Sequence, residues 1–302
     1  MAVTLVEAGK LSNDTLHTGV FETITKDGPL LQLLPFMVVL GNALTYNREN
    51  VAATAAFRSV GAAWTEDTPT LTQVTATLKI IGGDADVDNF LRATRGNLQD
   101  LDAEIITLKA LAVRRLLEDT FINGDEGVNP DAFDGIDLLT PTAQTVTNGA
   151  NGGALTLALL DELIDKIRGG APDMLLMSRR SRRQINVLAR ASGTFLETDI
   201  LQFGTWVQRY NGIPIVINDY ISDAQVVGTS GDASTIHAVR LGPDALMGIA
   251  AGQGDDDPNG IIQVENIGSL EAKDATRWRI KGYISLALFR TDAIARLQGL
   301  RA

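Results

Sequence analysis

The chain has 302 residues, 45% of them hydrophobic, and a formal net charge of −11. That is enough apolar side chain for a sizeable core, in one large domain or two smaller ones, and the acidic balance argues against general nucleic-acid binding, which needs a net basic face. The absence of cysteine excludes disulfides and thiolate metal sites, and no uncharged stretch is long enough to cross a bilayer as a helix.

Residues 1–35 alternate short apolar pieces with Thr, Asp and Gly without a sustained period, which reads as an extended N-terminal arm with one short helix near 19–26. They lack a basic segment followed by an apolar run, so no signal peptide is expected. From Phe36 to Asn47, Val38, Leu40, Leu44 and Tyr46 share one parity. Val74, Ala76, Leu78 and Ile80 form a second alternating run, and the two read as strands of one hairpin. The segment between them is too long for a tight turn, and its Phe57, Val60 and Trp64 cannot bury themselves, so a partner chain is expected to cover them. Gly82-Gly83 end the hairpin, and Asp84, Asp86 and Asp88 read as a solvated strand edge that discourages pairing with another sheet.

Asn97 then caps a long helix running to about Phe121. Its apolar stripe is Leu98, Leu101, Ile105, Leu108 and Ala112, with Ile106, Val113 and Leu117 beside it, and Asp102 and Glu104 suit the positive end of the dipole. Gly124 is expected to end it in a left-handed turn and Gly135 to let the chain bend into a new unit. After Leu139 a polar, Gly-rich connection leads to a helix with Leu157, Leu160, Leu163, Ile164 and Ile167 on one face. A buried strand over Met174–Met177 comes next, and Ser178 caps a third helix that ends at Gly193. Strands at Ile213–Ile217 and Ile236–Leu241 complete an α/β layer, with Gly212 and Pro214 punctuating the first as an edge would require. Ile261–Val264 and Trp278–Leu288 read as further strands.

Phe121-Ile122-Asn123-Gly124-Asp125 followed by Phe133-Asp134-Gly135-Ile136 resembles the "helix, F-I-x-G-D, then G-I-L" signature of tailed-bacteriophage major capsid proteins with the HK97-type fold. Tyr210 to Asp219 is similar to their "G-x-P-V-x-x-S/D" strand. Phe289 to Leu297 is close to their "R-P-x-A-x-x-x-L" tail, with Asp292 in place of proline. The order of these motifs covers nearly the whole chain. The resemblance implies an α+β, HK97-type fold: a long spine helix beside an antiparallel sheet, an α/β axial domain, an extended two-stranded arm and an N-terminal arm. The corresponding divisions are 1–35 for the N-terminal arm, 36–83 for the hairpin arm, 84–135 with 262–302 for the peripheral domain, and 136–261 for the axial domain. The tail is expected to return the chain to the sheet beside the spine helix.

The function so implied is a major capsid protein, without enzymatic activity, that assembles into pentamers and hexamers of an icosahedral shell around a double-stranded DNA genome. Its partners would be copies of itself, a scaffolding protein, a portal and a decoration protein. Packaged DNA would be enclosed without sequence-specific contact, and no membrane is involved. Its place would be the virion, and the host cytoplasm during assembly. An encapsulin-like nanocompartment shell and a monomeric α/β enzyme are the alternatives. Some relatives weld their subunits through a lysine in the hairpin arm; between Arg48 and Leu78 this chain has no lysine, so no such crosslink is expected.

The expected contact residues are Phe57, Arg58, Val60 and Trp64 in the arm, and Arg179, Arg180, Arg182 and Arg183 at the start of the third helix. Cations there oppose the helix dipole and call for anions, for which a neighbouring subunit is the expected source. Asp255, Asp257 and Asn259 match the first half of an EF-hand loop, but Pro258 interrupts it and Asn266 stands where the bidentate Glu belongs, so an acidic turn is read instead of a metal site. His17 and His237 have no carboxylate or nucleophile partner at a recognisable spacing. Walker, GxSxG, HExxH and GxGxxG patterns are absent, so no catalytic residue and no cofactor is assigned.

Overall fold

The computed structural model describes residues 30, 33–51, 53–64, 66, 68–90, 101–193, 197–200, 206–252 and 262–301. A kink at Gly41 (φ 114°) separates β1 (Phe36–Val39) from β2 (Ala43–Val51). β2 pairs antiparallel with β3 (Thr70–Thr77), from Ala43 opposite Thr77 to Val51 opposite Thr70, as a sheet of these two strands alone among the described residues. Past Leu78, whose N–H donates to Asn42 O at 2.9 Å, the chain continues as β4 (Lys79–Asp88). The two expected strands are therefore four. Each run breaks where the arm leaves the body, and the parity reverses at the break: Val39 and Ile81 are buried, whereas Val38, Leu40 and Ile80 are exposed.

Helix α1 (Leu101–Asn123) is about 35 Å long at 1.5 Å per residue. It buries Ile106, Ala110, Val113, Leu117 and Phe121, a stripe of three- and four-residue spacings, against Ile81, Ile280 and Ile284 of the neighbouring sheet. Leu108, expected inside, is 60% exposed, and Leu116 lies out with it. Two apolar stripes compete on this helix, and the sheet beneath selects one. That sheet offers Gly83, Ala85 and Val87; a Cβ on Gly83 would run into the Lys109 side chain, which crosses there. The expected cap at Asn97 and Leu98 fall outside the described residues.

Beyond α1 come α2 (Ile136–Leu139), a 3₁₀ turn at Thr142–Gln144, and two short strands, β5 (Thr145–Thr147) and β6 (Gly153–Ala154). The polar connection is thus partly sheet, with Gly149 and Gly152 at positive φ making its turns. Helix α3 (Leu157–Asp165) is capped by Thr156, whose side chain accepts from Leu159 N. Strand β7 (Met174–Met177) is buried throughout, and Ser178 caps α4 (Arg179–Ala191) as expected. Then follow β8 (Glu197–Ile200), β9 (Trp206–Tyr210), β10 (Ile213–Ile217), β11 (Gln225–Val227), β12 (Ser230–Val239), β13 (Leu246–Ala251), β14 (Ile262–Ser269), β15 (Ala275–Leu288) and β16 (Ile294–Arg301).

One sheet runs β1-β13-β15-β14, with β4 also paired along β15; the other runs β5-β16-β12-β7-β10-β9-β8, with β11 on β12 and β6 on β16. The tail strand β16 therefore lies inside the second sheet, between β5 and β12, and not in the first sheet, whose β4 and β15 run along the spine helix. Asp292, in the proline position, holds the turn before it: its carboxylate accepts from Arg290 Nε and Nη2 at 2.9 and 2.6 Å, and its carbonyl accepts from Arg168 N. β10 is likewise interior, entered from β9 by an Asn211-Gly212 turn with both residues at positive φ. One face of the second sheet (Leu175, Met177, Ile236, Ala238, Leu297) carries α3 and α4. The other (Met174, Leu176, Val239, Ile294) shares an apolar core with α1 and the first sheet.

Candidate intersubunit surfaces

The arm is fixed at its root and bare at its tip. At the root, the Tyr46 ring packs on Phe289 with centroids 4.7 Å apart, Leu288 N donates to Tyr46 Oη at 3.2 Å, and Arg48 Nη2 donates to Leu288 O at 2.8 Å. Leu44, Tyr46, Ala76 and Leu78 cover Val39, Ile249 and Ala287. Toward the tip every described residue from 53 to 64 is exposed. Phe57 and Val60 are fully exposed and Trp64 is 67% exposed. Arg58 shapes this end: its guanidinium lies 5.1 Å from the Trp64 ring and donates to Ala62 O at 2.7 Å, across the turn at Gly61 (φ 88°). Phe57 and Trp64 thus present large apolar surface that their own chain leaves uncovered. Lys79, just past the lysine-free span, is held by its own chain, with Nζ 2.6 Å from Glu126 and 2.7 Å from Pro130 O.

At the start of α4, own-chain groups answer part of the positive charge, which corrects the expectation that a neighbour must. Arg179 donates from Nε and Nη2 to the two oxygens of Asp219 at 2.6 and 2.8 Å. That hydrogen bonding holds the Asp219 carboxyl below its ordinary range and raises the guanidinium. Arg180 donates to Asp232 O and Leu300 O, and its Nε lies 3.4 Å from Asp223, whose carboxylate also accepts from the Ser178 hydroxyl. Arg182 and Arg183 have no ion pair among the described residues. Spacing alone could not separate these two pairs, because Asp219 and Asp223 come from the connection after β10 and Asp232 from β12.

Asp84 and Asp86 also differ from expectation. They do lie on an edge strand, since among the described residues β4 pairs only with β15, from Asp88 opposite Ala275 to Lys79 opposite Ile284, but they are not free edge charges. Asp84 accepts two hydrogen bonds from Arg279, and Asp86 two from Arg277. Lys281 adds a 2.8 Å contact to Glu265 on β14. These bonds hold the Asp84, Asp86 and Glu265 carboxyls low and the three cations high. Asp88 accepts from Phe90 N. The outer face of this sheet is a lattice of cross-strand ion pairs.

His237 is buried on β12 opposite Arg296 of β16, which bonds Asp137 at 2.8 Å. Burial pushes its imidazole down to about 4; Asp137 pulls the other way and Arg296 pushes further down. The folded chain thus holds His237 neutral, while the unfolded chain takes a proton near the ordinary 6.5. Stability is full above pH 6.5 and is lost as pH falls from 6.5 toward 4, by about 3 kcal/mol for this group. We expect His237→Gln to remove most of that loss in the unassembled subunit, read as a smaller drop in melting temperature between pH 7 and pH 4.5. An unchanged drop would assign the acid lability elsewhere.

The candidate cation ligands Asp255, Asp257 and Asn259, and His17, lie outside the described residues. Among those described, no three His, Asp or Glu side chains come close enough to hold a metal ion.

The phage capsid family model matches residues 8–298. The holo-SrpI encapsulin complex from Synechococcus elongatus PCC 7942 is 20% identical, with a TM-score of 0.67 over 100% of this chain and 97% of that one. The capsid of a native GTA particle is 18% identical, with a TM-score of 0.68 over 93% and 91%. Mycobacterium phage Adephagia provides a third structure, 12% identical, with a TM-score of 0.63 over 89% of each chain. No curated protein matches. At these identities the structures speak for the fold, an α+β fold of the HK97 type, and the family match speaks for the lineage. The chain belongs to the phage capsid family, and is a shell-forming capsid protein.

Proposed function

We propose that this capsid protein assembles into the pentamers and hexamers of an icosahedral shell that encloses the double-stranded DNA genome of a tailed bacteriophage. The observation that carries the reading is the arm: two strands rooted by Tyr46 and Arg48, ending in fully exposed Phe57 and Val60 and largely exposed Trp64. Apolar surface of that kind is stabilised by a neighbour at about 25 cal/mol per Å² before association costs, and a shell repeats the contact at every subunit. The arm is the clasp, Phe57, Arg58, Val60 and Trp64 its contacts, and no catalytic group is needed.

Electron microscopy of the purified protein tests this. Closed particles containing nuclease-protected DNA when isolated from an infection support it. A second reading, a nanocompartment shell around a protein cargo, is favoured by the end-to-end similarity to the encapsulin structure. Particles holding protein and no nucleic acid would select it. Sedimentation as a lone 32.3 kDa species at all concentrations would overturn both.

A further inference from the structure

Helices α3 and α4 carry opposite charges, each at the end where its own dipole opposes them. α3 places Glu162 and Asp165 in its last turn, with no basic residue there and no acidic residue in its first turn. α4 opens on Arg179, Arg180, Arg182 and Arg183, with no acidic residue in its first turn. A charge of the wrong sign at a helix end is destabilising unless a counter-charge answers it. Asp219 and Asp223 answer Arg179 and Arg180. Among the described residues no carboxylate pairs with Arg183 and no cation pairs with Glu162 or Asp165, and all three side chains are exposed. Arg183 continues into half-exposed Val187 and exposed Arg190, a stripe with an apolar centre and a basic rim.

We infer that the exposed stripe of α4, centred on Arg183 and Val187, docks on the acidic outer face of α3, at Glu162 and Asp165, in the next copy of the chain. This rests on the assembly reading above and names the surfaces that meet within a ring. Three observations favour a second copy as the occupant. The chain is acidic overall, at −11, so each copy meets neighbours rich in carboxylate, and a basic stripe is the complement they lack. Two different patches, one basic and one acidic, on separate helices suit a head-to-tail ring, in which each copy gives one patch to the neighbour on one side and the other patch to the neighbour on the other. Finally, α3 packs over β5 and β16 while α4 packs over β10, so the two patches belong to different helices laid on one face of the sheet.

The test is a charge exchange in the full chain. Arg183→Glu and Glu162→Lys, made singly, each set like charges across the contact and are expected to raise the concentration needed for assembly at least tenfold. The double variant Arg183→Glu/Glu162→Lys restores the pairing with its sign inverted and is expected to return most of the loss. Circular dichroism and melting of the unassembled variants, unchanged from the parent, exclude misfolding. Single variants that assemble like the parent, or a double variant no better than either single, overturn the contact while leaving the shell reading intact. A parent chain that never assembles removes both. Arg183→Glu shells that form normally but lose packaged DNA overturn the contact too, and turn the stripe toward nucleic acid.

Discussion

Removing residues 49–70 is expected to abolish stable shells and to leave the subunit folded. Among the described residues the buried cores contain nothing from that segment, and the root of the arm should survive the deletion, since Ala43 to Arg48 keep their partners Thr77 to Thr72 and Tyr46 keeps Phe289 and Leu288. What is lost is the tip. Phe57 and Trp64 each offer about 150–250 Å², so covering one contributes about 4–6 kcal/mol before ordering and association costs. Those costs are about 4–15 kcal/mol for each association, which makes two aromatic anchors decisive for a marginal contact. Phe57→Ser with Trp64→Ser is the milder version, and both variants are expected to elute as unassembled subunits with the parent's melting temperature. Normal particles by negative-stain microscopy from the deletion would show that the arm is no clasp.

The elements legible in the sequence were those whose period or caps are local. Met174–Met177, the Ser178 cap and the Gly193 stop stand where the residues placed them, because a short apolar run, an N-cap serine and a C-terminal glycine act within a few residues. The arm was legible because Phe57, Val60 and Trp64 had no amphipathic element to belong to. Failures came wherever a distant segment decides. Leu108 and Val113 have equal local claims to the inner face of α1, and only the sheet beneath ranks them. Asp84 and Asp86 alternate as edge charges would, yet Arg277 and Arg279, nearly two hundred residues on, turn them into paired cross-strand groups. The tail looks the same whichever sheet receives it, and β16 goes to the second. In α4, sequence located the cations but not Asp219 and Asp223, so it could not separate Arg179 and Arg180 from Arg183.

The glycines of the family motif yield the other large effect, for a reason different from the one their positions suggest. Neither Gly124 nor Gly135 has a positive φ. Their requirement is contact: Gly124 N donates to Thr120 O, Gly135 N donates to Gly124 O at 2.8 Å, and the chain from Phe133 to Gly135 lies against the last turn of α1. A Cβ on Gly124 would stand 2.5 Å from Thr120 O and closer still to Phe133 O. On Gly135 it would stand 2.6 Å from Ile122 O and 2.7 Å from both Gly124 N and Thr120 O. All of these are backbone atoms, which cannot swing aside as a side chain can. Gly124→Ala or Gly135→Ala is therefore expected to cost at least about 3 kcal/mol, since the chain must part where α1 hands over to α2. At roughly 2–4 °C per kcal/mol, that is a fall in melting temperature of roughly 6–12 °C. Gly231→Ala is the control: its Cβ would meet nothing within 4 Å and its φ is not positive, so the melting temperature should hold within a degree or two. Equal behaviour of Gly124→Ala and Gly231→Ala would mean that the last turn of α1 is not locked to the chain entering α2, and that the motif glycines serve something other than this junction.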